Sequence, residues 1–408
     1  MANRTGRILR WMAAAWAAVF FLGAGMRVLA DCSAFGLPFT DLGSTTFCAQ
    51  IAEAYFAGLT NGTTATTYAP TANVPREQMA AFVTRTLDQS LLRGARRSAL
   101  DQWWTSAPHF DQSLATTAVG TQPQLLKSDG ADVWVANFGG TVTRVRASDG
   151  RALQTWTGAT KAYGVLIAMG RVFVTANQTT GTLYGIDPSA AIGGAVTSLT
   201  TSLGGFPGGI AFDGNRIWTA NSNNGAGGGS VSIVTPGTWS VANHSTGLTE
   251  PIGLVFDGAH MWVTDATASG GRLRELDGAG AVLLTVTVGQ GAGFPAFDGR
   301  NIWVPNSFDN SMTVVRSTDG AVLKTFSAAN GNANGMDAPS QAAFDGERIA
   351  VTNESPIHGT PSVSLFKATD LSVIGNAPLA GVSEPFGICS DGVNFWIALA
   401  GSSAVGRF

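Results

Sequence analysis

The stretch Phe297–Asn306, FDGRNIWVPN, has near-copies throughout the second half of the chain and beyond. They read FDGNRIWTAN, FDGAHMWVTD, FDGERIAVTN, SDGADVWVAN and SDGVNFWIAL, and a seventh, divergent copy has Met169 where the others have Asp. Measured from the Asp-Gly pair, successive copies begin 40 to 47 residues apart. An Asp-Gly pair between apolar runs is a strong β-hairpin signal, and a period of about 40–45 residues is that of a four-stranded propeller blade. The repeat therefore predicts a mainly β fold, a seven-bladed β-propeller.

Each repeat reads as four strands, and the decamer supplies the first hairpin turn and the second strand. Runs such as Asn301–Val304 (NIWV) are apolar at consecutive positions instead of alternating. That pattern is typical of a strand that is covered on both faces, as in a blade packed between two neighbours. The tryptophans at one equivalent strand position are therefore predicted to be core residues: Trp134, Trp218, Trp262, Trp303 and Trp396.

The last repeat is one strand short. Only seventeen residues follow Asp391, which is enough for two strands but not three. Upstream of the first copy, Leu114–Gly120 (LATTAVG) is similar to Leu283–Gly289 (LLTVTVG), which precedes the fifth copy. We therefore expect residues 113–119 to form the outer strand of the last blade, within a propeller that spans 112–408.

The overall composition supports a turn-rich β protein. Of 408 residues 12% are charged, with 52 Gly and 11 Trp, and the net charge is −3. This balance gives no basic surface of the kind that binds nucleic acid.

Residues 1–30 have the features of a signal peptide. Three arginines precede an apolar run from Trp11 to Met26, and Val28-Leu29-Ala30 offers a small-residue cleavage site. An uncleaved anchor and a lipoprotein acylated at Cys32 are the alternatives. The protein is accordingly expected to be exported, to the cell envelope or the extracellular space.

Export would permit a disulfide. Cys32 and Cys48 are close in sequence, and a bridge between them would close a short loop. The third cysteine, Cys389, lies in an apolar strand and is expected to be a buried thiol.

Residues 31–92 differ from the repeats and are predicted to be helical, with 93–111 as a linker. Stripes at helical spacing occur in Thr45–Gly58 and in Pro75–Leu87, separated by a Gly/Thr/Asn loop. The ordered pieces Phe39-Thr40-Asp41, Gly58–Gly62 (GLTNG), Tyr68-Ala69-Pro70 and Val74–Gln78 (VPREQ) resemble the S-layer homology (SLH) motif.

The SLH resemblance implies attachment to a cell-wall polymer or peptidoglycan, with Arg76 and Glu77 as the contacting residues. Two features depart from the family pattern. Pro75 replaces the family's Thr, and one motif is present where the family usually has three.

The repeats themselves resemble the propeller of streptogramin (virginiamycin B) lyases and the wider group with NHL-like or YVTN-type repeats. The resemblance rests on turns such as Glu384–Gly387 (EPFG) followed by SDGVNFWIAL. In the lyases such a turn carries a Glu and a His beside a bound divalent metal. Here Glu250 and Glu384 match the Glu, whereas Ile252 and Phe386 occupy the His position and cannot transfer a proton. The catalytic lyase set is therefore incomplete.

Polar residues that end the second strands suggest a further site. Asn137, Asn177, Asn221, Asp265, Asn306 and Asn353 occupy this position and are expected to cap turns through the backbone. If Asp265, Glu250 and Glu384 converged at the channel mouth, they would offer a site for Ca²⁺ or Mg²⁺; otherwise no cofactor is expected. The loop aromatics Phe138, Phe308 and Trp239 are candidates for contacting a ligand.

Three functions follow from these patterns. The first is an exported, envelope-associated binding module that holds an unidentified protein or small ligand on one propeller face. The second is a metal-dependent propeller enzyme of lyase or lactonase type. The third, a glycan-binding propeller, predicts repeated exposed aromatics on one face.

Overall fold

The structure is a computed structural model, and it divides into two compact units, residues 1–96 and 97–408. It describes 37–43, 47, 51, 54–55, 60, 62–76, 78–80, 82–83 and 115–408, except for 190–193, 246, 268–269, 328–334, 355–359, 380 and 383.

The larger unit is a seven-bladed β-propeller, as the repeat predicts. Its strands form seven antiparallel sheets of four. The first three blades comprise β2 (Pro123–Ser128), β3 (Asp132–Asn137), β4 (Thr141–Arg146) and β5 (Ala152–Thr157); β6 (Ala162–Ala168), β7 (Arg171–Ala176), β8 (Gly181–Ile186) and β9 (Thr197–Leu203); and β10 (Pro207–Phe212), β11 (Ile217–Asn221), β12 (Ser230–Thr235) and β13 (Ser240–His244).

The next three blades have the same order. They comprise β14 (Pro251–Phe256), β15 (Met261–Asp265), β16 (Arg272–Leu276) and β17 (Val282–Thr287); β18 (Ala296–Phe297), β19 (Asn301–Asn306), β20 (Ser311–Arg316) and β21 (Val322–Phe326); and β22 (Pro339–Phe344), β23 (Arg348–Asn353), β24 (Ser362–Lys367) and β25 (Ser372–Pro378). Short 3-10 helices occupy Asn223–Gly225 and Ala400–Ser402.

The seventh blade combines both ends of the propeller sequence. It contains β26 (Pro385–Ser390), β27 (Phe395–Leu399), β28 (Ala404–Arg407) and, as its outer strand, β1 (Ala115–Ala118). β1 pairs antiparallel with β28, from Ala115 opposite Arg407 to Ala118 opposite Ala404. The repeat pattern predicts residues 113–119 as this strand, and the structure shows it over Ala115–Ala118. The ring is thus joined by a hydrogen-bonded ladder, which leaves no open edge at the chain end.

The repeated decamer is held by a pairing of its Asp with its Trp. In the fifth blade, Asp298 Oδ1 accepts the backbone N–H of Arg300 (2.8 Å) and Asn301 (2.6 Å), while Oδ2 accepts the indole N–H of Trp303 (2.7 Å). Trp303 is fully buried. The same indole bond joins Trp134, Trp218, Trp262 and Trp396 to the Asp of their own turns. One carboxylate therefore closes the hairpin and satisfies the polar atom of the core aromatic.

The two divergent copies show why these residue types recur together. In the sixth blade Ala350 replaces the Trp, and Asp345 Oδ2 accepts instead from Arg348 Nε at 2.8 Å. In the second blade Met169 replaces the Asp, and the core aromatic is Phe173, which has no N–H to satisfy. In the second blade the carboxylate and the indole are thus lost together, whereas in the sixth blade Arg348 takes the place of the missing indole as donor to the carboxylate.

Second strands are buried along their length, as predicted. Every residue of β3, β11, β15, β19 and β27 is buried. The burial follows from the position of each second strand between two neighbouring blades, so both strand faces contact apolar side chains.

Glycines in the inner strands allow neighbouring blades to approach closely. A Cβ added to Gly209 would lie 2.9 Å from Gly253 Cα, and one added to Gly253 would lie 2.9 Å from Phe294 Cα. At the junction of the last and first blades, a Cβ on Gly387 would lie 2.9 Å from Leu125 Cα. Side chains do not fit at these distances, so the inner strands pack backbone against backbone around the channel.

The described part of the N-terminal unit joins distant pieces of the SLH-like segment. Asp41 accepts backbone N–H groups from Tyr68 (2.8 Å) and Ala69 (2.7 Å), and these bonds lower the pKa of its carboxyl. The Phe39 ring lies 5.2 Å from that of Tyr55 and 5.4 Å from that of Tyr68. Helical conformation is found at 51, 54–55, 76, 78–80 and 82–83. None of the helices among the described residues has the length and apolar character that crossing a bilayer requires.

Candidate binding site at the channel mouth

Seven equivalent backbone bonds define one end of the propeller. In each blade, the N–H of the residue after the second strand donates to the C=O of the residue that opens the inner strand. We call this end, where inner strands begin and second strands end, the turn face. The pairs are Phe138–Gln122, Asn177–Lys161, Ser222–Phe206, Ala266–Glu250, Ser307–Gly291, Glu354–Ala338 and Ala400–Glu384, at 2.9–3.3 Å.

The backbone of this ring is uniform, but its side chains are not. The residue that opens the inner strand is charged in three blades, as Lys161, Glu250 and Glu384. Elsewhere the same position is amide, aromatic or small. The Lys161 ammonium lies 4.1 Å from the centre of the Phe138 ring, a cation–π contact. The side chains around the channel mouth therefore differ between blades, whereas the backbone that carries them does not.

Three aromatic rings meet across the channel just inside the turn face. Tyr163, Phe294 and Phe386 come from the second, fifth and seventh blades, and their ring centroids lie 5.8–6.2 Å apart. These blades are not neighbours in the ring, so the side chains reach one another only by filling the channel. We call this set the aromatic plug. Tyr163 and Phe386 are half-buried and Phe294 is buried, which leaves part of the plug open to a ligand.

Glu354 contributes a half-buried carboxyl to this mouth. Burial raises its pKa, a hydrogen bond with Ser340 acts in the opposite direction, and the nearby charge of Glu384 raises the pKa further. Burial also raises the pKa of the Tyr163 hydroxyl, and the Glu354 carboxylate adds to that shift. Glu354, Glu384 and Tyr163 are thus close enough to influence one another's charge.

The three predicted cation ligands occupy different environments. Asp265 is fully buried, and its carboxylate accepts from Thr249 N, Glu250 N and the Arg274 guanidinium at 2.6–3.3 Å. Glu250 is half-buried, and its pKa is raised by burial and by the Asp265 charge. Glu384 is exposed and lies near Glu354. Among the described residues, no three His, Cys, Asp or Glu side chains form a group that could hold a metal ion.

The asparagines that end second strands bond mainly to side chains. The amide nitrogens of Asn137, Asn221, Asn306 and Asn353 donate to Ser or Thr hydroxyls of the third strand at 2.8–3.1 Å. Only Asp265 of this set accepts from turn backbone. In the second blade, register places Ala176 at the equivalent position and Asn177 one residue later. These residues anchor the third strands, a role that the backbone-capping expectation missed.

Other candidates lie away from the mouth or outside the described residues. His260 Nδ1 lies 2.7 Å from Glu275 Oε1 in a hairpin at the opposite end of the blade. Cys389 is buried, which raises the pKa of its thiol to about 12. Arg76 is exposed in a helical segment. The signal peptide, the linker, Cys32, Cys48 and the side chain of Glu77 fall outside the described residues.

The loop aromatics also differ in environment. Phe308 is 71% exposed on the turn face, where its N–H donates to Gln290. Trp239 instead packs 5.9 Å from Phe173 in an apolar cluster. Phe308 is therefore the stronger candidate for contact with a partner.

Sequence reasoning missed Tyr163, Phe294 and Glu354. Their signal is present in the repeat alignment. Tyr163 occupies a position that is aromatic in only one other copy, as Phe386, and Phe294 takes a position where four other copies have glycine. Glu354 directly follows the Asn that ends β23. At these positions the backbone is the same in every blade, but the side chain departs from the repeat consensus.

Comparisons with known proteins identify the fold. No family model matches the chain, and no curated protein matches it either. Among solved structures, hydrazine synthase of Kuenenia stuttgartiensis superposes with a TM-score of 0.58 at 16% identity, covering 72% of this chain and 97% of that one. The WD40 β-propeller domain of Doa1 superposes with a TM-score of 0.55 at 14% identity, covering 72% and 96%. At such identities the likeness shows the fold alone, and the chain is a β-propeller.

Proposed function

We propose that this protein is a binding module that holds a partner on the turn face of its propeller. The observation that carries the proposal is the ring of seven equivalent backbone bonds, whose accepting residues are Gln, Lys, Phe, Glu, Gly, Ala and Glu in the seven blades in turn. Propellers and other repeat folds build specific surfaces by varying the residues at the strand ends of a repeated scaffold. The aromatic plug fills the channel behind this ring, which favours a partner seated on the face over one passing through.

The chemistry of the face favours a partner with a basic group. Glu250, Glu354 and Glu384 contribute carboxylates at the mouth, against the single ammonium of Lys161 among the ring positions. Half-exposed aromatic rings beside carboxylates favour ammonium and guanidinium groups through cation–π and charge interactions. The exposed Phe308 adds apolar contact area on the same face.

The face can be tested by capture from an envelope extract with immobilised protein. The variant carries Glu354→Gln and Glu384→Gln together, and the control carries Glu347→Gln in the hairpin at the opposite end of the sixth blade. Material bound through the turn face should be lost with the double variant, kept with the control, and released by salt because exposed charge pairs are screened. Equal capture by both variants would refute the proposal.

We further propose that the N-terminal segment directs export and attaches the protein to a cell-wall polymer. The proposal is supported by the SLH-like order of residues and by the bonds that join Asp41 to the Tyr68-Ala69 segment. Arg76, exposed in its helix, would contact the acidic polymer beside Glu77. The test is sedimentation with isolated cell-wall material. Wild type should pellet and Arg76→Ala should remain in solution; if both remain soluble, the attachment proposal fails.

A metal-dependent enzyme is the second proposal, and the perturbed Glu354 favours it. Carboxyls with raised pKa values in clefts are frequent at catalytic sites. Glu354 lies beside Tyr163 and Glu384, so a proton donor and a carboxylate share one mouth. Metal analysis after exhaustive dialysis distinguishes the proposals. Retained stoichiometric Ca²⁺ or Mg²⁺ that is lost in the Glu354→Gln and Glu384→Gln variant would favour the enzyme.

A further inference from the structure

A lone lysine lies at the end of the channel opposite the turn face. We call this end, where the Asp-Gly turns lie, the hairpin face. Lys127 is the fifth residue of the inner strand β2 and stands two positions before the Asp129-Gly130 turn of the first blade. Register pairs it with Trp134 of the second strand. The lysine is therefore remote from the aromatic plug, which lies just inside the turn face.

No other blade carries a charged residue at this position. Register gives the equivalent residues as Leu166, Ala211, Val255, Ala296, Ala343 and Cys389. These six side chains are buried or half-buried, whereas Lys127 is exposed. The position faces the contact between adjacent blades, where small or apolar side chains pack. The lysine is thus a departure from the repeat that occurs in one blade alone.

The ammonium of Lys127 is surrounded by protein although the residue is exposed. Burial lowers the pKa of this ammonium, and the nearby Cys389 opposes the shift. A side chain that is open to solvent and still loses hydration lies in a concave part of the surface. For a residue of an inner strand, that concavity is the channel. The ammonium therefore faces the channel at the hairpin face.

No described carboxylate balances the charge of this lysine. Asp129 Oδ1 accepts two backbone N–H groups, and its Oδ2 accepts the indole N–H of its own blade. Asp132 is paired with Arg144. Burial raises the pKa of the Cys389 thiol to about 12, so this thiol is uncharged at neutral pH. Within the part of the chain that the structure describes, the Lys127 ammonium has no hydrogen bond and no ion pair.

The other three lysines of the chain all have partners. The Lys161 ammonium lies over an aromatic ring. Lys324 Nζ donates to a backbone carbonyl at 2.7 Å, and Lys367 Nζ lies 3.5 Å from the Asp370 carboxylate. Each of these contacts is made by the protonated amine. A desolvated lysine without such a partner is the kind that acts as a nucleophile, and Lys127 alone fits that description.

We propose that Lys127 is a covalent capture site for a small uncharged aldehyde at the hairpin face. Its unprotonated Nζ attacks the carbonyl carbon and forms a C–N bond. The carbonyl oxygen then leaves as water with the two amine protons, which gives an imine and needs no oxidant or reductant. An uncharged ligand fits because the equivalent residues of the adjacent blades, Leu166 and Cys389, are apolar or uncharged. The site does not use the turn face, so its test is independent of the function proposed above.

The test is reductive trapping on the whole folded protein. Wild type is incubated with propanal and cyanoborohydride at pH 7, so that any imine is reduced to a stable secondary amine. Peptide mapping by mass spectrometry then gives the labelling rate at each lysine. Lys127 should be labelled about tenfold faster than Lys367 or more, because each unit by which an amine pKa is lowered raises its unprotonated fraction about tenfold. The rate at Lys127 should also level off at a lower pH.

The controls separate the folded site from the intrinsic reactivity of lysine. Lys127→Met should fold, since other blades have apolar residues at this position, and it should lose the fast labelling. Lys367→Met, on an exposed hairpin, should keep it. In urea all four lysines should be labelled at similar rates, because the channel is no longer formed. The proposal is overturned if Lys127 of the folded protein is labelled no faster than Lys367, or if its faster labelling persists in urea.

Discussion

Replacing Asp298 by alanine tests the physical basis of the repeat. The change removes the acceptor of the Trp303 indole, of two backbone N–H groups and of the Asn301 amide at 3.2 Å. Trp303 is fully buried between Phe326 and Phe366, with ring centroids 6.1 and 6.0 Å away. Its N–H therefore loses its protein acceptor once the carboxylate is gone.

A hydrogen bond to a charged group contributes about 1.5–3 kcal/mol, and a buried donor left unpaired costs about 1–3 kcal/mol. Because the turn N–H groups are partly solvated, we expect Asp298→Ala to lower the free energy of unfolding by about 3 kcal/mol in all. At about 2 °C per kcal/mol for a large domain, the melting temperature should fall by about 6 °C. Differential scanning calorimetry and urea unfolding followed by tryptophan fluorescence measure both quantities.

The matched control is Asp319→Ala, in an exposed turn of the same blade. Asp319 accepts from Ala321 N and Arg316 but from no indole, so its loss should cost less than 1 kcal/mol. A double-mutant cycle with Trp303→Phe isolates the indole bond and should give a coupling of about 1.5 kcal/mol or more. If Asp298→Ala costs no more than Asp319→Ala, or if the coupling is near zero, the Asp–Trp pair does not stabilise the blade.

Three further perturbations follow from the same structure. Burial raises the pKa of Glu354 in the folded state, so above the ordinary carboxyl pKa the folded protein binds more protons than the unfolded chain. Stability should therefore fall as pH rises through that window, and Glu354→Gln should flatten this dependence in melting curves recorded between pH 4 and 8. A flat wild-type profile would argue against the raised pKa. Gly253→Ala should lower the free energy of unfolding by several kcal/mol, since the added Cβ would meet the backbone of the next blade. In the control Gly375→Ala the added Cβ meets no atom within 4 Å, so urea unfolding should give a free energy within about 0.5 kcal/mol of wild type. Equal effects of the two variants would contradict the close packing of the inner strands. Arg274→Ala leaves the buried Asp265 charge without its partner, so calorimetry should show the free energy of unfolding lowered by about 3–5 kcal/mol. A loss below 1 kcal/mol would show that the two backbone donors are enough to stabilise the Asp265 carboxylate.

Much of the architecture follows from local sequence because a propeller repeats a local unit. Asp-Gly turns, consecutive apolar second strands and the copy period predict the seven sheets. The tryptophans were predicted to be core, yet the carboxylate that satisfies each indole was not, although Asp and Trp lie five residues apart in every such copy. That pairing needed the hairpin geometry.

The site depends on contacts between blades, which the sequence does not state. Tyr163, Phe294 and Phe386 are more than ninety residues apart in pairwise sequence separation, and only closure of the ring brings them together. Asp265 was expected from sequence to cap a turn, with a cation site only if Glu250 and Glu384 converged on it, and the folded chain surrounds it with an arginine and backbone donors.

The sequence alone thus determined the number of blades, the buried strand of each and the residues of the turns, because these depend on interactions within about forty residues. The tertiary structure decided which side chains share the channel mouth and which carboxylates are already paired. Those outcomes depend on how seven similar sheets face one another, because side chains from blades as distant as the second, fifth and seventh come into contact only when the ring closes.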